Sequence, residues 1–222
     1  MSFFIKRACG VEVTRGVWDS QTPFESDTLD DIKYQLSMKE NINLGSKEKF
    51  VGWKANGVTN CLDLCKSILK KYNISEFGSS SNVFKLMCEK DGKLVHYGSD
   101  VVNNYKRAID CIDRHLESNR PIIVGVNHTM GRCINEGTTD HFVVIYGREY
   151  VGEELYYIYY EVGKSDISAG YNDVENRFKY EETNPPYFYD ERSSRRDWVR
   201  FDVTQVRPND GILDGTIPQN GV

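Results

Sequence analysis

The chain has 222 residues and carries 28 Lys and Arg against 33 Asp and Glu, which gives a formal net charge of −5 with His neutral. This acidic balance argues against a nucleic-acid-binding protein, which normally has a basic surface, and the 12% of aromatic residues argues against a disordered chain. No segment approaches the roughly 18–20 consecutive apolar residues that a membrane-spanning helix needs.

The first half of the chain is predicted to be mainly helical. After an N-terminal arm at 1–24, apolar residues at helical spacing predict helices at 26–40, 60–72 and 99–119, and a further short helix at 82–90.

The second half is predicted to form strands, because its apolar segments are rich in β-branched and aromatic residues and are bounded by Gly, Asn and Pro. These segments are 121–127, 140–147, 154–161 and 198–206, and a long polar segment lies at 162–185. Helices followed by strands predict an α+β domain with a mostly antiparallel sheet.

Three residues are placed where thiol chemistry would need them. Cys61 follows Asn60, a favourable N-cap, so its thiol lies at a helix N-terminus, where the N–H groups and the partial positive charge favour the thiolate. His141 begins a strand and Glu161 ends the next strand, so an antiparallel hairpin would bring them together as base and orienting acid. The third member of this triad remains open between Glu161 and residues downstream, which are Asp166, Asn172 and Asp173.

The cysteines allow two other hypotheses. Cys65 lies one helical turn after Cys61 and could be the nucleophile instead, although it is deeper in the helix. Cys61 with Cys65, and Cys111 with His115, are pairs at i, i+4 spacing that could together form a tetrahedral zinc site. The usual zinc-ligand spacings are absent, so we expect no metal and no other cofactor.

The order of a helical Cys, a strand His and a strand-end acid resembles papain-like cysteine peptidases, and most closely the bacterial branch that trims double-glycine leader peptides. Those proteins have a helix of the form C-G-x-T-x-x-x-M-x-x-x-Y, and here Ile68 and Tyr72 stand seven and eleven residues after Cys61. Their strand, loop and strand segment resembles NRPIIVG at 119–125 and DHFVVIYG at 140–147.

The chain departs from that family around the nucleophile. Leu62 and Leu64 replace the usual Gly and Thr, and Ala55 stands where the family has the Gln of its oxyanion hole. Asn56 or Asn60 could supply that donor instead.

The resemblance, which covers about residues 50–165, implies a papain-like fold with N-terminal helices packed on a mostly antiparallel sheet. It divides the chain into an N-terminal arm and helix at 1–49, a catalytic domain at 50–206 and a C-terminal tail at 207–222.

The function that the resemblance implies is a thiol-dependent hydrolase of peptide or amide bonds, in which Trp53, His128 and Asp140 are candidates for the substrate cleft. One form is a peptidoglycan-cleaving antibacterial effector with an immunity or inhibitor protein as partner. Such an effector would be soluble, made in the cytoplasm and exported by a specialised secretion system, since the N-terminus does not resemble a secretory signal. The alternatives are a non-catalytic binding module and a host-directed protease effector, and a transferase on the same fold is a further alternative.

Overall fold

The computed structural model describes residues 40–75, 83–128, 135, 137–190 and 200–209. The chain divides into two compact units, Met1–Lys39 and Glu40–Val222, and all described residues belong to the second. The arm at 1–24 and nearly all of the helix predicted at 26–40 lie outside the described residues, as does most of the tail predicted at 207–222.

The described residues form ten strands, three α-helices and a 3₁₀ turn at Ala55–Gly57. The strands are β1 (Ile42–Asn43), β2 (Phe84–Lys85), β3 (Met87–Lys90), β4 (Lys93–His96), β5 (Ile122–Asn127), β6 (His141–Val151), β7 (Glu154–Tyr160), β8 (Arg177–Glu181), β9 (Tyr187–Tyr189) and β10 (Asp202–Arg207). The helices are α1 (Cys61–Lys71), α2 (Val101–Glu117) and α3 (Ile167–Gly170).

Six of these strands close into an antiparallel barrel. The pairing runs β6–β5–β10–β9–β8–β7, and β7 pairs again with β6. Two short strands extend the sheet, since β1 pairs with β6 and β2 with β10, while β3 and β4 form a separate hairpin.

The prediction of a papain-like α+β fold, with N-terminal helices packed on a mostly antiparallel sheet, is therefore wrong. The described part of the chain is mostly β. Two segments account for much of the error: 82–90, predicted as a helix, forms β2 and β3, and the polar segment at 162–185 contains α3 and β8. Strand β2 depends on a distant partner, since it pairs with β10 and the Leu86 N–H that follows it donates to the Thr204 carbonyl at 2.8 Å. Local periodicity carries no trace of such pairing.

Irregularities in two strands accompany the closure of the barrel. The register shifts between Ile145 and Gly147 where β6 meets β7, and between Val203 and Gln205 where β10 meets β5. Such bulges bend a strand and increase its twist, which a closed sheet requires. Gly147 also has to lack a side chain, because a Cβ there would lie 2.5 Å from the Ile42 carbonyl oxygen of β1.

The two long helices pack on opposite faces of the strands, and each shares a separate hydrophobic cluster with them. Along β6, Val143 and Ile145 belong to the cluster that contains α2, whereas Phe142 and Val144 belong to the cluster that contains α1. This alternation is the period-2 pattern of a strand that is buried on both faces. Helix α1 is therefore fixed beside the β6 end that begins with His141.

No helix in the described ranges combines the length and the apolar composition that crossing a membrane would require.

Candidate active site

Cys61 is the first residue of α1. The Asn60 side-chain oxygen caps this helix by accepting hydrogen bonds from the N–H groups of Leu62 at 2.9 Å and Asp63 at 3.3 Å. The cap fixes the end of the helix and leaves the partly exposed Cys61 side chain in the field of its N-terminus.

The barrel places His141 and Glu161 against each other. His141 opens β6, Glu161 follows the last residue of β7, and the two strands pair antiparallel with Val144 opposite Tyr160. His141 Nε2 lies 2.8 Å from Glu161 Oε1, and the two side chains are only 11% and 3% exposed. The carboxylate therefore holds Nε2 and leaves Nδ1 as the nitrogen that can exchange a proton with a nucleophile.

Gly163 completes the binding of the Glu161 carboxylate. Its N–H donates to Glu161 Oε1 at 2.7 Å, so this oxygen faces both the histidine ring and a backbone donor. A Cβ on Gly163 would stand 2.8 Å from Oε1 and 3.5 Å from His141 Cε1. The sequence analysis missed this residue, although a glycine two positions after the strand-end acid was visible.

The Cys61 side chain interacts with His141, and each group shifts the pKa of the other. Burial opposes ionisation of Cys61, but the hydrogen bond and charge of His141, with the N–H groups of Phe142 and Leu62, lower the pKa of the thiol. Burial likewise opposes protonation of His141, yet the charge of Glu161 and the contacts with Cys61 raise its pKa to about 10. Both directions favour a thiolate and an imidazolium at neutral pH.

Cys65 does not share these surroundings. It is fully buried in the α1 cluster, and burial, with the nearby charges of Cys61 and Glu161, raises its pKa well above the ordinary value. The geometry thus favours Cys61 over Cys65 as the nucleophile.

The four proposed zinc ligands do not converge. Cys65 lies in the α1 cluster, whereas Cys111 lies in the α2 cluster. His115 Nδ1 is 2.7 Å from the Cys111 carbonyl oxygen, and its Nε2 accepts the Asn209 N–H at 3.0 Å, so both ring nitrogens are engaged. Within the described ranges, no three His, Cys, Asp or Glu side chains are grouped as metal ligands.

The alternative third residue, Asp166, has another role. Its carboxylate caps α3 by accepting the Ala169 N–H at 2.9 Å and contacts the Ser168 hydroxyl at 2.5 Å. Glu161 is thus the acid that the structure places on His141.

Two cleft candidates, His128 and Asp140, lie beside His141. The rings of His128 and His141 have centroids 5.7 Å apart, and His128 Nδ1 is 3.6 Å from Asp140 Oδ2. Phe201, which the sequence analysis did not single out, stacks on His128 at 5.3 Å and meets the His141 ring edge-on at 5.9 Å. It precedes β10, so only the barrel pairing brings it to the site.

The segment before α1 is joined to the loop that carries Glu161. The Trp53 N–H donates to the Lys164 carbonyl at 2.8 Å, and a Cβ on Gly52 would lie 2.3 Å from the same oxygen. The Trp53 side chain is partly buried against the α1 cluster. This contact connects the two chain segments that carry Cys61 and Glu161.

The oxyanion candidates lie in that same segment. Asn56 is exposed and has a left-handed backbone, with φ of 51°. Asn60 is also exposed, and because its oxygen caps α1, its amide N–H₂ is the group that it could offer to an oxyanion.

Comparison with known proteins adds no assignment, because no family model, curated protein or solved structure matches the chain.

Proposed function

We propose that this protein is a thiol-dependent hydrolase of peptide or amide bonds, with Cys61 as nucleophile, His141 as acid and base, and Glu161 as the residue that orients His141. The observation that supports this most is the contact of Cys61, at the N-terminus of α1, with a histidine that lies 2.8 Å from a buried carboxylate. A structural core does not require these three groups in this order, whereas nucleophilic catalysis does.

The reaction follows from the resting charges. The Cys61 thiolate attacks the carbonyl carbon, and the resulting tetrahedral intermediate carries an oxyanion. As this intermediate collapses, the C–N bond breaks and imidazolium His141 gives its proton to the leaving amine, leaving a thioester on Cys61. Neutral His141 then takes a proton from water, whose oxygen attacks the thioester and releases the acid and the Cys61 thiolate.

Glu161 acts throughout by holding His141 Nε2. It keeps the ring in the orientation in which Nδ1 faces the sulfur, and its charge stabilises the imidazolium.

The test compares two cysteines on one helix. The full chain is incubated with a proteome-derived peptide library and with peptidoglycan fragments, and products are identified by mass spectrometry. Wild type and Cys65→Ala are expected to cleave at the same positions, while Cys61→Ala loses about a thousandfold or more of the rate.

Two results would contradict this proposal. Cleavage that survives in Cys61→Ala would remove Cys61 from the mechanism. A folded wild-type protein that cleaves neither class would favour the binding-module alternative.

A further inference from the structure

A second histidine–carboxylate pair stands beside the triad, formed by His128 and Asp140. The backbone N–H of His128 donates to Asp140 Oδ1 at 3.1 Å. The ring nitrogen Nδ1 of His128 faces Asp140 Oδ2 at 3.6 Å. The Asp140 side chain is 4% exposed, and its own N–H donates to the Val126 carbonyl at 3.1 Å. A carboxylate fixed in this way favours the tautomer with its proton on Nδ1, which makes Nε2 an acceptor.

Phe201 and His141 hold the His128 ring from two sides. The Phe201 ring stacks on His128 with an interplanar angle of 28°, and His141 meets it at 64°. The His128 side chain nevertheless remains 19% exposed. The ring is thus fixed in position but can still be reached by a ligand.

The charge state of His128 agrees with an acceptor role. Burial lowers its pKa and the neighbouring His141 acts in the same direction, while Asp140 acts against them. His128 is therefore neutral beside the His141 imidazolium at neutral pH.

The proposed reaction brings the leaving half of the substrate close to His128. His141 delivers its proton to the leaving amine, so this half must approach the His141 ring, whose centroid lies 5.7 Å from that of the His128 ring. A peptide leaving half carries a backbone N–H at every residue except proline, whereas a small aromatic amine has none beyond the scissile bond.

We propose that His128, held by Asp140, is a specificity residue that accepts a hydrogen bond from a backbone N–H in the leaving half of a peptide substrate. This inference rests on the proposed hydrolase function. It predicts a preference for peptide leaving groups over simple amines joined to the same acyl half.

The experiment uses a sequence that the full-length protein cleaves in the peptide library. Its acyl half is joined either to the natural leaving peptide or to 7-amino-4-methylcoumarin, and kcat/KM is measured for both substrates. The preference is the ratio of the two values within one variant, so a general loss of rate cancels. Two variants change the acceptor: His128→Gln keeps an acceptor near the Nε2 position, and His128→Asn does not. His96→Gln, on β4, is the control.

We expect the ratio of the two kcat/KM values to favour the peptide leaving group in wild type, His128→Gln and His96→Gln. In His128→Asn this ratio is expected to fall about fivefold to tenfold. An unchanged ratio in His128→Asn, or an equal loss in His128→Gln and His128→Asn, overturns the acceptor role while hydrolysis stands. A wild-type protein that cleaves no peptide in the library overturns the hydrolase proposal itself, and this inference with it.

Discussion

At the scale of single residues, the charge on Glu161 determines how much of Cys61 is thiolate at neutral pH. The carboxylate raises the pKa of His141, and the resulting imidazolium lowers the pKa of Cys61. The thiolate–imidazolium pair therefore exists from the lowered pKa of Cys61 up to about pH 10, where His141 loses its proton.

Glu161→Gln keeps the shape of this contact and removes its charge. The pKa of His141 should fall and that of Cys61 should rise, so alkylation of Cys61 by iodoacetamide at about pH 6 is expected to slow about tenfold or more. Near pH 9.5 the Cys61 thiol ionises largely without help from the imidazolium. The alkylation rates of wild type and Glu161→Gln should therefore approach each other at this pH.

Asp166→Asn is the matched control, because asparagine also caps a helix and α3 should survive. Its alkylation rate should equal that of wild type. Equal slowing in both variants would contradict a specific role for Glu161.

The sequence predicted the residues that stand at the ends of their own elements. Cys61 follows a recognisable cap, and His141 and Glu161 stand at opposite ends of two consecutive strands. Gly163 and Phe201 could not be selected in this way. Gly163 matters because it has no side chain to crowd Glu161 and His141, and Phe201 reaches His141 only through the pairing of β10 with β5.

At the scale of elements, the cap of α1 positions Cys61, the proposed nucleophile. Asn60→Ala should cost about 1 kcal/mol of stability and loosen the first helical turn, whose Leu62 N–H contacts the Cys61 sulfur. We expect alkylation of Cys61 at about pH 6 to slow several-fold and to be restored in Asn60→Ser. Alkylation forms no oxyanion, so this measurement separates the cap from a role of Asn60 as oxyanion donor.

The control for this prediction is the cap of α2. Asp100 accepts the Asn103 N–H at 3.3 Å, so Asp100→Ala should lose similar stability in urea unfolding without slowing alkylation. If both variants slow alkylation equally, general destabilisation and not the position of the α1 terminus would be the cause.

At the scale of the whole molecule, a buried ion pair joins α2 to the barrel. Arg148 on β6 donates to Asp113 at 2.7 Å and to Glu117 at 3.0 Å, and the Tyr157 hydroxyl on β7 donates to Asp113 at 3.0 Å. The arginine side chain is 2% exposed. Removing one partner would leave the other charge buried, which costs far more than the pair contributes.

Arg148→Met is therefore expected to lower the free energy of unfolding in urea by about 3–5 kcal/mol. Arg177→Met, which removes a 39% exposed arginine that lies 3.4 Å from Glu149, should cost about 1 kcal/mol or less. Similar losses in the two variants would contradict the structural role given to the buried pair.

The overall architecture shows where local patterns stop being informative. The helices at 61–71 and 101–117 and the four predicted strands, which the structure contains as β5, β6, β7 and β10, were foreseeable, because each has its own apolar pattern. Closure of the barrel was not, since it depends on two short strands, β8 and β9, that the sequence did not reveal, and on the pairing of β10 with the distant β5. The fold prediction failed at these strands, although the residues around the site still came together.

The central claim, that Cys61 is an activated nucleophile, is tested most directly by limited alkylation with iodoacetamide over a pH series, read by peptide mass spectrometry. Cys88 on β3, which is also partly exposed, serves as the reference thiol within the same protein. The account predicts that Cys61 reacts fast at and below neutral pH, ahead of Cys88, and that His141→Ala moves its reaction to alkaline pH. If Cys61 and Cys88 react at the same rates across the series, and His141→Ala changes neither, the proposed triad is contradicted.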